Sequence, residues 1–195
     1  MKTITIEAKD YLIFAHEPDW SSAVNVEFAY DTVIGSSPRY HEQRRALIDK
    51  PSRTISASFL FSGVDSEKIR NEIFQCSQNR VLFPIYTEPI VTVASVTNAI
   101  YAIQVIDNYY NLRNFSTHII GNDYRSGEYG SKEFASLSLD PINRINFASN
   151  WAETFAPATS VFYPAMKCRF DGNPTVSAVT AGVTKCTIKV KELHT

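Results

Sequence analysis

The chain is expected to fold as a mainly β protein, a β-sandwich or split barrel with one embedded α-helix at about residues 66–78. Short runs of β-branched and aromatic residues recur along it, separated by Gly, Pro and Asn turns, as in all-β folds. Aromatic content is high, with 10 Tyr, 12 Phe and 2 Trp, which favours pleated, half-buried surfaces. Only one segment joins helical periodicity to an N-terminal cap.

In order, Thr3–Glu7 alternates with Ile4 and Ile6 on one face, and Tyr11–Ala15 is a continuous apolar strand closed by Glu17-Pro18-Asp19. Val24, Val26, Phe28 and Tyr30 repeat every second residue, the mark of a half-buried strand. Gly35-Ser36-Ser37-Pro38 reads as a turn, and His41–Ile48 as an extended charged edge ahead of Pro51. Ile55, Ala57, Phe59 and Phe61 share a face of the next strand.

The helix starts at Asp65 or Ser66, either able to cap its free amides, with Glu67 favourably placed in the first turn. Ile69, Ile73 and Cys76 form its core-facing stripe with Phe74 beside it, and Asn79 suits a left-handed C-terminal position. Arg80–Tyr86, Val91–Val96 and Ala99–Ile106 read as strands.

Residues 107–130 turn polar and read as a long loop or hairpin excursion, with one strand at Phe115–Ile120. Phe134–Leu139 and Ile142–Phe147 follow across a turn at Asp140-Pro141. Val161–Phe170 places Phe162, Met166, Cys168 and Phe170 together, and Thr184–Val190 turns Cys186, Ile188 and Val190 inward after a strand at Val176–Val179. A single domain over 1–195 is expected, with 97–110 the candidate boundary if two β units, 1–97 and 98–195, are stacked.

With 44% hydrophobic and 20% charged residues the chain has the composition of a packed globule. A net charge of −1 gives no general attraction for nucleic acid or anionic membrane. Cys76, Cys168 and Cys186 are odd in number and lack zinc spacing, so three reduced, buried thiols are expected. The start alternates polar and apolar residues, as a strand and not a signal peptide does. No run approaches about 18 apolar residues, so no membrane span is expected.

No catalytic constellation emerges. His16, His41, His118 and His194 are scattered, no nucleophile elbow or phosphate-cradling loop is present, and Asp65 and Glu67 are explained by helix capping. No cofactor or metal is expected. Arg44 and Arg45, with Arg39 and Arg53 near, form the dense basic cluster, suited either to a carboxylate-rich neighbour or to protecting a strand edge. Trp20 and Trp151 sit just outside strands, as platforms for a sugar or as plugs of a β core.

Three segments resemble bacteriophage long-tail proteins of the distal-tail and baseplate type. The first runs from Trp20 through Tyr30-Asp31-Thr32-Val33-Ile34 and Glu42-Gln43-Arg44-Arg45-Ala46-Leu47 to Pro51-Ser52-Arg53, with Ser52 interposed in the family's Pro-Arg step. The second is the helix followed by Arg80-Val81-Leu82-Phe83-Pro84-Ile85-Tyr86. The third is Ala158-Thr159-Ser160-Val161-Phe162-Tyr163-Pro164-Ala165-Met166, similar to a "G-T-x-V-x-P" strand, with Ala158 in place of Gly.

The resemblance implies a non-enzymatic virion protein of the tail, folded in the host cytoplasm. It implies a homo-oligomeric ring, hexameric or trimeric, joining the tail tube to the hub or baseplate and fibres, with other tail proteins as partners. Arg39, Arg44, Arg45, Arg53, Tyr109, Tyr110, Tyr124 and Tyr129 are the candidate subunit-contact residues. Two rivals remain at this stage: a carbohydrate- or receptor-binding β-sandwich, and a small β-barrel hydrolase.

Overall fold

The computed structural model describes residues 1–30, 32–36, 42–46, 50–63, 66–92, 95–97, 101–103, 116–138 and 144–193. The strands in chain order are β1 (Thr3–Ile6), β2 (Lys9–Ile13), β3 (Asn25–Ala29), β4 (Thr32–Ser36), β5 (Glu42–Ala46) and β6 (Ser52–Ser62). Helix α1 (Ser66–Gln78) follows, then β7 (Val81–Pro84), β8 (Ile90–Val91), β9 (Val96–Thr97), β10 (Tyr101–Ile103), β11 (His118–Asp123) and β12 (Tyr129–Ser138). Last come β13 (Arg144–Phe147), β14 (Thr154–Phe155), β15 (Ser160–Phe170), β16 (Thr175–Thr180) and β17 (Val183–Glu192). The fold is mainly β with a single helix among the described residues.

Thirteen strands form one mixed, branched sheet, which does not close on itself among the described residues. Its hub is β15. Along one edge Ser160–Ala165 pairs with β11 and Cys168–Phe170 with β17; along the other, Val161–Phe162 meets β8 and Ala165–Cys168 meets β7. Three arms leave this hub. One runs through β17 and β6 to β3, a second through β11, β12 and β13 to β10, and a third through β7 to β2 and β1. The β2–β7 pair is parallel. Strands from both halves of the chain thus interleave: β17 pairs with β6 from Thr54 to Ser62.

The largest core lies between the β7–β15–β17–β6 arm and the helix. Ile55, Ala57, Phe59 and Phe61 of β6 and Cys186, Ile188 and Val190 of β17 face Ile73 and Cys76 of α1 there, as the period-2 and period-3.6 patterns require. Phe74 departs from the helical stripe and is 44% exposed. Asn79 is not left-handed; instead its side-chain amide donates to the Gln75 carbonyl at 2.8 Å, capping the helix end.

Two smaller cores flank β11 and β15. Trp151, Phe155, Phe147, Phe162 and Ile119 fill one, and Tyr11, Ile13, Leu82, Ile120 and Ala165 the other. β11 is buried on both faces, so its sequence, His-Ile-Ile-Gly-Asn-Asp, shows no polar–apolar alternation. Gly121 on β11 is a steric requirement, because a Cβ there would lie 2.7 Å from the Phe162 ring.

The expectation that Phe162 shares a face with Met166, Cys168 and Phe170 is corrected: Phe162 belongs to the Trp151 core, the other three to the helix core. The change of face occurs at Pro164. Tyr163 and Pro164 sit where the neighbouring edge passes from β8 to β7, and the Pro164 carbonyl accepts the Ile85 N–H at 2.8 Å. Proline, lacking an N–H, belongs at such a break in the ladder.

The reading of 107–130 as a loop or hairpin holds in its hairpin form, and the strand expected at Phe115–Ile120 is met from His118 by β11. Residues 104–115 lie outside the described residues, but from His118 onward the chain is a central hairpin, β11 with β12. Of the charged segment expected at 41–48, the described part, Glu42–Ala46, is extended, forming β5 paired with β4. All three cysteines are free and buried. Burial raises the thiol of Cys76 to about 12 and of Cys186 to about 11, and Cys168 well above the ordinary value, so these sulfurs stay protonated and unreactive at neutral pH.

Candidate functional site

A cleft of about 500 Å³ opens where the end of β2, the first half of α1 and the β11–β12 turn meet. Ile13, Ala15, His16 and Glu17 form its floor, Lys68, Ile69 and Glu72 the helix wall, and Asn122–Tyr124 with Tyr129 the hairpin wall. The floor can be extended and still satisfied because other elements take its backbone groups. Asn122 Nδ2 donates to the Ala15 carbonyl at 3.0 Å, and the Tyr86 hydroxyl donates to the His16 carbonyl.

Asp123 shapes the hairpin wall. Its Oδ1 accepts the backbone N–H groups of Arg125 (2.9 Å) and Ser126 (3.2 Å), and Oδ2 that of Ala156 (3.4 Å). Burial pushes its carboxyl upward, but these amides and the Thr159 hydroxyl outweigh burial and hold it far below the usual range. Asp123 is therefore a structural anion occupied by the turn.

On the opposite side His16 Nε2 lies 2.9 Å from Glu72 Oε2. Burial holds the His16 imidazole below its ordinary value, against the pull of Glu72. His118, buried in β11 with Nδ1 3.0 Å from the Thr117 hydroxyl, is likewise lowered by burial first, against Glu133. Both rings protonate at higher pH in the unfolded chain than in the folded one. Their contribution to stability is complete above the unfolded value of about 6.5 and is lost as pH falls from there through the lower folded values. Thermal denaturation should therefore show Tm decreasing between about pH 7.5 and about pH 5.5. The slope should flatten in His16→Gln/His118→Gln; an equal slope in that variant would assign the effect elsewhere.

At the cleft mouth the Tyr163 hydroxyl donates to Glu17 Oε1 at 3.4 Å and lies 3.0 Å from the Tyr124 hydroxyl, while Trp20 Nε1 donates to Glu17 Oε2 at 3.4 Å. Burial raises both phenols, Tyr163 to about 12 and Tyr124 further, Glu17 adding to each. They remain hydroxyl donors. Edge-to-face contacts of Tyr86 with Tyr163 (5.2 Å) and Trp20 (6.3 Å) hold the rings together.

The residues singled out in the sequence fall in several places. Tyr124 stands at this mouth, 42% exposed, and the Tyr129 hydroxyl accepts the Lys2 backbone N–H at 2.9 Å. Arg53 is inside the fold, bound to Glu192 through its backbone N–H (3.1 Å), Nε (2.9 Å) and Nη2, so its guanidinium is committed within its own chain. Arg44 and Arg45 pair in backbone register with Ile34 and Val33, their side chains lying outside the described residues. Arg39, Tyr109 and Tyr110 lie outside the described residues as well. Trp151 is a core plug, 1% exposed, while Trp20 is 57% exposed.

Sequence reasoning missed His16, Glu17, Glu72, Asp123 and Tyr163. Their only local signal is the Glu17-Pro18-Asp19-Trp20 break after a strand, and nothing in the spacing joins it to residue 72 or 163. Among the described residues no cluster of His, Cys, Asp and Glu fit to hold a metal occurs, and no helix is long and apolar enough to cross a membrane. No protein-family model matches the chain, and no curated protein matches it in sequence.

Proposed function

We propose that this chain is a structural protein that works by assembly through its sheet borders, as a ring component of a bacteriophage tail tip joining tube to hub or baseplate and fibres. In this role it is not an enzyme; its partners are copies of itself and neighbouring tail proteins.

The observation that carries the reading is the border at β16. All six of its residues, Thr-Val-Ser-Ala-Val-Thr, are exposed, none is charged and none is proline. Among the described residues it pairs with β17 alone. Val176 is 37% and Val179 54% exposed, the latter at a register shift between Ala178 and Thr180. Proteins that act alone blunt such borders with charge, proline, a bulge or a covering element, because the open row of N–H and C=O groups recruits another strand; of these β16 has only the register shift near its end. A neighbouring copy adding a strand there would satisfy those groups, with the valines as anchors. Such head-to-tail contacts close into rings when the rotation between copies allows.

Val176→Lys/Val179→Lys places two charges on this border without touching a core. Self-association measured by light scattering should weaken by about tenfold or more, with the circular dichroism spectrum retained. Equal association of the variant and the parent would remove β16 from the contact.

The exposure of Trp20 and Tyr124 at the cleft mouth favours one second reading, a carbohydrate- or receptor-binding module. A glycan array on which Tyr124→Ala loses the hits of the parent chain would establish it. A blank array would set it aside.

A further inference from the structure

We infer that the mouth of the cleft around Glu17 is a guanidinium-binding site, and that its ligand is an arginine side chain presented by another polypeptide. Glu17 is half-buried, yet its hydrogen bonds from Trp20 Nε1 and the Tyr163 hydroxyl both measure 3.4 Å, the long end of the useful range. No ion pair reaches it among the described residues. A carboxylate partly withdrawn from water and served only by neutral donors, the Tyr124 hydroxyl among them, lacks a counter-charge.

The surroundings select the cation. Trp20 and Tyr124 offer ring surface at 57% and 42% exposure, and Tyr163 backs them through the 3.0 Å contact between hydroxyls. Aromatic rings beside an unpaired carboxylate suit a planar, delocalised cation, which sets paired N–H donors on the oxygens and its flat face on a ring. A lysine ammonium is more strongly hydrated and lacks the flat face, so it fits less well. Glu72 on the helix wall is already engaged, by His16 at 2.9 Å and by the Met1 amino group at 4.0 Å, which leaves Glu17 as the carboxylate open to a ligand. Lys68 lines the same cleft from α1, with no ion pair to Glu17 among the described residues.

The chain itself contains an arginine source. β5 carries Arg44 and Arg45 on a hairpin that pairs only with itself among the described residues. That a second copy supplies the arginine rests on the assembly reading; the site itself does not.

The test titrates the full chain with N-acetyl-arginine amide, with the uncharged isostere N-acetyl-citrulline amide and with N-acetyl-lysine amide. Trp20 fluorescence is followed, with Trp20→Phe as the blank. A saturable change with the arginine compound is expected, weaker by about tenfold or more with citrulline and by a similar factor in Glu17→Gln. Equal responses to arginine and citrulline, a folded Glu17→Gln that binds like the parent, or a response to neutral saccharides in place of arginine would each overturn the site.

In a second arm, self-association is measured with the arginine compound as competitor and in Arg44→Gln/Arg45→Gln. Loss of association in both assigns the arginine to a second copy. Arginine binding with association untouched assigns it to a different protein and leaves the site standing. A chain that never self-associates defeats the assembly reading, while the first arm still decides the site.

Discussion

Arg53→Ala is expected to destabilise the chain by about 3–5 kcal/mol, the cost of stranding one partner of a buried ion pair. Arg53 is 1% exposed and sits on the core-facing side of β6, in phase with Ile55, Ala57 and Phe59. Glu192 lies one step beyond the Thr54–Lys191 pair of the β6–β17 ladder, so the two side chains meet across neighbouring strands. Nε and Nη2 take the two carboxylate oxygens, and the Arg53 backbone N–H takes Oε2 as well. Removing the guanidinium leaves a carboxylate where β3, β6 and β17 run together. Glu192→Ala should cost a similar amount for the opposite charge, whereas Arg53→Met/Glu192→Met should cost much less than either single change. Urea denaturation of the three variants measures this. A double variant as unstable as the singles would show that the pair contributes through attraction and not through mutual neutralisation.

Trp151→Ala is expected to cost about 3–5 kcal/mol, the range for emptying a large aromatic site. Trp151 is the hub of the second core, in edge-to-face contact with Phe147 (5.2 Å), Phe155 (4.9 Å) and Phe162 (5.5 Å). It arrives on an irregular segment and roofs β11, β13 and β15, so its loss opens a cavity that strands already committed to hydrogen bonding collapse into only in part. Thermal denaturation should show a large fall in Tm for Trp151→Ala and a smaller one for Trp151→Phe, which keeps a ring in place. A Tm near that of the parent would contradict this core. The same burial means that Trp151 is no sugar platform, and any loss of ligand binding in Trp151→Ala would report unfolding.

Much of the fold was legible because most strands are buried on one face, and one-sided burial writes an alternation into the chain. β6 and β17 show this plainly, with Ile55, Ala57, Phe59 and Phe61 opposite Ser56, Ser58 and Leu60. The helix was legible because the spacing of Ile69, Ile73 and Cys76 fits no strand. Only the first half of β11 reads as strand in the sequence, within Phe115–Ile120, because Gly121, Asn122 and Asp123 resemble turn residues and a strand buried on both faces has no alternation to carry the reading further. The face change at Pro164 was hidden because it depends on β7 and β8 meeting β15 end to end, a fact about non-local pairing.

The candidate site was less legible still. Arg53 looked like part of a surface cluster because Glu192, its partner, is far along the chain. Tyr124 is a candidate contact residue in the sequence, but Glu17, Glu72 and Tyr163 are unremarkable singly, and the four gain meaning together only when β2, α1, β11 and β15 converge. Surface chemistry drawn from four elements leaves no local spacing to read.

Sedimentation velocity of the purified chain over rising concentration tests assembly through open borders most directly. The account predicts a discrete oligomer of fixed copy number that dissociates in Val176→Lys/Val179→Lys. A single monomeric boundary at every concentration, indifferent to charge on β16, would contradict it.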